Sequence, residues 1–310
     1  MDVGLQLLPQ LFSLLINLSK KMPFNFFGLP KQFSTLKNSA VVLLPVPFDE
    51  TSTWLKGSDR GPDAIIEASH HLELYDRETN TEVYQKGIYT ERPICAKGSE
   101  SMIAEVYAKT ATVIRQGKFV VAVGGEHSIS IGAIRAHAAF YSNLAVLHLD
   151  AHTDLRDEYE GSKYNHACTV ARIRETIDTV VSVGIRSMDS SEHEKLDEKL
   201  VFYADYVHES KDWIREVLAV LPEQVYVTID LDVFDPGIMP STGTPEPGGL
   251  DWYQVVTLLK AISEHRIITG FDVVELCPSD NKAPDFLSAK LIYKLLSYKF
   301  VGKRNLVPRL

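Results

Sequence analysis

The chain has 310 residues, 45% of them hydrophobic, a formal net charge of −9 and three cysteines, Cys95, Cys168 and Cys277. That length suits one large α/β domain as well as two small ones, and a surface of that sign does not favour nucleic acid or anionic membrane as a partner. Three well-separated cysteines without a CxxC read as reduced thiols of a cytoplasmic protein, not as a disulfide frame.

The first apolar run, LQLLPQLFSLLINL (5–18), has no basic residue before it; Lys20 and Lys21 follow, and Pro9 interrupts it. It is short for a spanning helix. Residues 1–21 are therefore expected as an N-terminal extension, disordered or not translated, with Met22 as an alternative start and 22–310 as a single domain. AVVLLPV (40–46) reads as the first strand. KFVVAVGG (118–125) is the next and leads into Glu126, His127 and Ser128, with a helical segment at 129–140. LAVLHLD (144–150) leads into AHTD, VVSVGI (180–185) follows, and 211–220 is helix-like. QVYVTIDLD (224–232) leads into VFDP, Asp251 opens a helical stretch to 265, and IITGFDVVEL (267–276) closes the series. Apolar, β-branched runs alternating with helices predict an α/β domain with a mainly parallel sheet. Ligands of such sheets bind at the carboxyl ends of the strands, where all three polar clusters fall.

Asp150, His152 and Asp154 are spaced by two, so they point the same way if the strand continues. Asp230 and Asp232 share that spacing, and His127 ends a third strand. A DxD alone also serves as a helix cap, and GGEHS alone as a Gly-rich turn. Four buried carboxylates would repel one another and lose their hydration. Two divalent cations would neutralise them, so the three clusters together imply a two-metal site. Hard oxygen ligands with a minority of imidazole favour manganese over zinc, with nickel, cobalt and iron as alternatives. Two such ions make a bridging water acidic enough to act as hydroxide near neutral pH, which implies hydrolysis. His148, beside the motif, is expected to be structural, as are His70, His71, His193, His208 and His265. Cys168 reads as a small apolar residue.

GGEHS, DAHTD and DLDVFDP resemble, in this order, the three signature motifs of the arginase–agmatinase (ureohydrolase) family. PVPFDETSTWLKGSDRGPDAI (45–65), STGTPEPGGL (241–250) and DVVEL (272–276) extend the resemblance from about Ala40 to Tyr298. Glu126 departs from the Asp of many members. The resemblance implies the three-layer α/β/α arginase-like sandwich and makes 22–310 a single ureohydrolase domain. It implies His127, Asp150, Asp154 and Asp230 around one Mn²⁺, and Asp150, His152, Asp230 and Asp232 around a second. It further implies Glu275 as partner of a guanidinium, Asp154 and His166 as proton carriers, and a homotrimer or homohexamer. Without the resemblance, His166 would pass for a surface loop histidine; the bland alternative for Glu275 is a buried carboxylate paired with an arginine such as Arg186.

Arginases hold a substrate carboxylate and place Asn after DAHTD, whereas this chain has Leu155, Arg156, Asp157, Glu158, Tyr159 and Glu160. The acids Asp157 and Glu158 favour a second ammonium, and so a small cationic guanidino substrate. Agmatine, giving putrescine and urea, is the reading, with aminopropylagmatine as alternative. Guanidinobutyrate, formiminoglutamate and arginine carry a carboxylate and would require Arg156 in the pocket. An inactive homologue should lack a ligand, and none is missing. A two-metal phosphoesterase should show converging basic residues, but the motif flanks are acid-rich.

Overall fold

Eight apolar segments form strands: β1 (Val41–Val46), β2 (Ile88–Thr90), β3 (Phe119–Gly124), β4 (Leu144–Leu149), β5 (Val180–Ile185), β6 (Val201–Tyr203), β7 (Gln224–Asp230) and β8 (Ile267–Val274). The computed structural model describes residues 24–300, so the expected N-terminal extension lies outside the described residues. The strands join one sheet in the order β2-β1-β3-β8-β7-β4-β5-β6. Every pairing is parallel.

Parallel strands need crossovers, and helices supply them. Six have eight or more residues among the described residues: α1 (Gly61–Ser69), α2 (Ser99–Arg115), α3 (Ile129–Ala138), α4 (Trp213–Val220), α5 (Trp252–His265) and α6 (Ala283–Phe300). They cover both faces, so the strands are buried except on edge strand β2 and at the ends of β6, β7 and β8, and they alternate between two cores. Ala145, Leu147 and Leu149 of β4 join the core under α5 and α6 with Val255, Leu258 and Leu291. Leu144 and Val146 join the opposite core with Met102 and Val106 of α2 and Ile131 of α3. This is the three-layer arrangement that the family resemblance implies, built on the parallel sheet that the alternating pattern predicts.

The strand order positions the site. β7 and β8, the last strands in sequence, insert between β3 and β4, so β3, β8, β7 and β4 become consecutive neighbours. His127, Glu275, Asp230 and Asp150 stand at or just past their carboxyl ends. Residues up to 148 positions apart in sequence are thereby brought to one edge, as when Glu275 accepts a hydrogen bond from the His127 backbone at 2.7 Å.

Two expectations change in detail. β4 stops at Leu149, so strand alternation does not carry Asp154 into the site. The chain turns instead, and Asp154 takes a left-handed φ of 51°. Asp232 likewise sits in a 3₁₀ turn, Leu231–Val233, and not on the strand. Edge strands β2 and β6 have three residues each, too few for a periodic signal. In α6, Leu291 through Tyr298 are all buried, which erases the one-sided stripe of an ordinary surface helix. Among the described residues, no helix is long and apolar enough to cross a membrane.

Gly125 joins the sheet to the site. It donates to Val46 at 2.8 Å, and Glu126 donates to Phe48 at 2.8 Å, binding the exit of β1 to the exit of β3. A Cβ on Gly125 would lie 2.0 Å from the Phe48 carbonyl oxygen. Gly125→Ala should therefore lower stability by about 1–3 kcal/mol or more, as overpacking against backbone does. Thermal unfolding of purified protein checks this; an unchanged midpoint would show that the two exits can separate freely.

Candidate active site

Three of the four metal-type carboxylates have one oxygen fixed by a backbone N–H. Asp150 Oδ1 accepts from His152 N at 2.6 Å, Asp230 Oδ1 from Asp232 N at 2.9 Å, and Asp232 Oδ1 from Ala151 N at 3.0 Å. The other oxygens converge. His127 Nδ1 lies 3.0 Å from Asp150 Oδ2, 3.2 Å from Asp154 Oδ2 and 3.3 Å from Asp230 Oδ2. His152 Nδ1 lies 3.0 Å from Asp232 Oδ2 and 3.5 Å from Asp150 Oδ1. Asp150 thus joins two ligand groups.

This crowding calls for cations. Burial, then the charges of Asp232 and Asp150, push Asp230 well above the usual carboxylate range. Burial and Asp150 raise Asp154 as well. Burial would lower His152, but Asp232 and Asp150 raise it to about 12. The His127 Nδ1 atom is buried and makes no hydrogen bond, although three carboxylate oxygens surround it. Nitrogen and oxygen ligands of one octahedral ion, each about 2.1 Å from it, lie about 3 Å apart. The donor set therefore fits divalent cations.

A row of polar side chains below the cluster fixes the histidine. Sheet register places Ser182, His148, Thr228 and Asp272 side by side across β5, β4, β7 and β8. Thr228 donates its one hydroxyl proton to Asp272 at 2.6 Å, and Tyr226 donates to the same carboxylate at 2.9 Å. Thr228 Oγ1 lies 2.9 Å from His127 Nε2 and so must accept from it. His127 then carries its proton on Nε2 and presents the Nδ1 lone pair to the cluster. His148, read from sequence as structural, lies 2.8 Å from Asp150 Oδ2 and 3.0 Å from Ser182 Oγ. The spacing of two that marks His152 and Asp154 also marks His148, so its contact with Asp150 was available as a signal. Thr228 and Asp272 had no local signal.

The cluster opens into a cavity of about 240 Å³ whose lining includes His152, Asp154, His166, Asp230, Asp232 and Glu275. Glu275 has a φ of 67° and is buried. Burial and then Glu126 raise its carboxyl well above the usual range. His166 Nδ1 lies 3.7 Å from Glu275 Oε1, and its Nε2 is buried without a partner. Burial, then the charges of His152 and His127, bring His166 down to about 4. Arg186 does not pair with Glu275; its guanidinium donates to backbone carbonyls, including that of Asp232 at 2.6 Å.

The mouth differs from expectation. Asp157 does not reach the cavity; it is exposed and pairs with Lys195 at 2.7 Å and Arg172 at 3.9 Å. Glu158 is exposed and also absent from the lining. Arg156 does line the cavity, with Tyr159, Asp189 and Glu192. Its guanidinium lies 3.6 Å from Asp189 and 4.6 Å from the centre of the Tyr159 ring.

Sheet and cluster together define a parallel α/β metallohydrolase. The Arginase family matches residues 39–297. The N(1)-aminopropylagmatine ureohydrolase of Synechocystis sp. is 38% identical over 294 residues, covering 89% of this chain and 96% of that protein. The agmatinase of Bacillus anthracis is 37% identical over 257 residues, covering 80% and 87%. The crystal structure of the agmatine ureohydrolase of Thermoplasma volcanium superposes with a TM-score of 0.80 at 32% identity, covering 86% and 92% of the two chains. The chain belongs to the arginase family, and is a hydrolase of the ureohydrolase type.

Thr228→Val removes the acceptor that fixes the His127 proton and leaves Nε2–H buried without a partner. Metal affinity should fall about 10–100-fold, the usual cost of losing such an outer contact, and Thr228→Ser should restore it. A competition titration with Mn²⁺ reads this; equal affinities in all three proteins would show that Thr228 does not set the tautomer.

Proposed function

We propose that the chain cleaves the guanidinium group of N1-aminopropylagmatine, releasing urea and leaving spermidine. The observation that carries the reaction is the buried Glu275 carboxylate, which shares a cavity with the carboxylate–imidazole cluster. His127, Asp150, Asp154 and Asp230 would hold one Mn²⁺, and Asp150, His152, Asp230 and Asp232 the other. Bound there, the two ions supply a water that is acidic enough to attack near neutral pH. Glu275 pairs with the planar guanidinium, whose parallel N–H groups match a carboxylate. Asp154 takes the proton released by the attacking water. His166, neutral at pH 7, relays a proton to the leaving nitrogen as the carbon–nitrogen bond breaks.

The charge at the mouth supports an amine-bearing substrate. With the four cluster aspartates balanced by two dications, Glu275, Asp189 and Glu192 remain against Arg156 among the charged lining groups. Glu192 already accepts from Leu155 and Asp189 backbone N–H groups. Asp189 is half-exposed and suits a distal ammonium. Arg156 does line the cavity, which meets the condition for a carboxylate-bearing guanidine. Asp189 at 3.6 Å and the face of the Tyr159 ring already offset its charge, however, which weighs against one. The acids Asp157 and Glu158 cannot separate agmatine from the longer polyamine, because neither lines the cavity. The longer substrate is preferred because the Synechocystis relative bearing its name aligns over 96% of its length. Agmatine, giving putrescine, remains the second reading, supported by the agmatinase of B. anthracis. Manganese follows from the oxygen-rich ligand set. A cytoplasmic homotrimer or homohexamer completes the proposal on the family resemblance.

Urea release is the test, with Mn²⁺-loaded protein given aminopropylagmatine, agmatine, arginine or guanidinobutyrate. The highest kcat/KM should fall on aminopropylagmatine, and Asp232→Ala or removal of metal by a chelator should abolish turnover. Asp189→Asn should raise KM for the polyamine about tenfold, near the 1.4 kcal/mol of a charge-assisted contact. Preference for a carboxylate-bearing substrate would overturn the reading of the mouth.

A further inference from the structure

Glu126 is a buried, charged motif residue that the reaction leaves unused. It is fully buried and does not bind the metal cluster, yet it accepts three short hydrogen bonds. Thr51 N donates to Oε2 at 2.6 Å, Thr51 Oγ1 to Oε1 at 2.5 Å, and Ser128 Oγ to Oε1 at 2.6 Å. Thr51 lies on the loop that follows β1. Its hydroxyl has a single proton, and Glu126 takes it. The same oxygen must therefore act as acceptor toward the His166 backbone N–H, which lies 2.9 Å away. A second link runs beside it, from Asn165 Nδ2 to the Thr51 carbonyl at 3.5 Å. The Asn165 side chain in turn accepts from Ala167 N at 3.0 Å.

We propose that Glu126 and Thr51 are positioning residues for His166. Glu126 orients the Thr51 hydroxyl, and that hydroxyl holds the His166 backbone so that its ring stands beside Glu275. The ring itself has no hydrogen bond to hold it: Nε2 has no partner and Nδ1 is 3.7 Å from Glu275. Its placement must come from the backbone. A glutamate has one methylene more than an aspartate, which lets it reach across to the neighbouring loop.

The proposal rests on the reading of His166 as a proton carrier, and the test separates the two. Thr51→Val, Thr51→Ser, Glu126→Gln, His166→Ala and Thr51→Val/His166→Ala are compared as Mn²⁺-loaded full-length proteins. His166→Ala should lower kcat about 100-fold, as loss of a positioned acid–base group does. Thr51→Val should lower kcat about tenfold with KM within twofold, and Thr51→Ser should restore it. The double variant should be no slower than His166→Ala, because both changes act on one element. The readout independent of turnover is the ring signal of His166 in ¹H–¹⁵N spectra of the metal-free proteins, because paramagnetic Mn²⁺ would broaden it away; it is assigned by its loss in His166→Ala. It should shift or broaden in Thr51→Val and Glu126→Gln and stay in place in Thr51→Ser. An undisturbed signal in Thr51→Val, or additive losses in the double variant, would overturn the proposal. A full kcat in His166→Ala, together with a ring signal that still moves in Thr51→Val and Glu126→Gln, would uphold the positioning and remove His166 from the reaction.

Discussion

The arrangement depends on one electrostatic constraint: four buried aspartates converge on one site, where the imidazoles of His127, His148 and His152 are the groups nearest to them. An isolated carboxylate in such a place would protonate or be expelled. Here the backbone forbids expulsion. Each of Asp150, Asp230 and Asp232 has one oxygen held by a main-chain N–H, which aims the other at the cluster. The fold thus stores a charge imbalance that divalent cations relieve, and the same ions make water reactive.

The sheet makes this possible. Only the central strands of a parallel sheet present several carboxyl ends to one point, and β3, β8, β7 and β4 are those strands. The row Ser182, His148, Thr228 and Asp272 lies one level below their ends and turns sheet register into proton position. Backbone conformations that most residues avoid occur at Asp154 and Glu275, with φ of 51° and 67°. Such positions persist where surrounding contacts over-determine them, and they cluster at functional sites.

Much of this was legible in the chain. The apolar runs that end in GGEHS, DAHTD and DLD mark strand ends, and a spacing of two marks ligands because it is the period of a strand. The same rule failed where the strand had already ended: Asp154 and Asp232 reach the cluster through turns. Thr51, Thr228 and Asp272 were not legible, because their roles depend on which strands and loops become neighbours. Asp157 and Glu158 misled for a related reason. Charge in a loop says nothing of direction, and Lys195 and Arg172, distant in sequence, draw Asp157 away from the cavity.

The central claim is that two divalent cations balance the cluster, and counting them tests it most directly. Equilibrium dialysis against Mn²⁺ should find two ions per chain in the native protein. Replacing Asp150, which joins both ligand groups, with Asn should lower the affinity of both. One ion or none at saturation, in protein that is folded, would contradict the account.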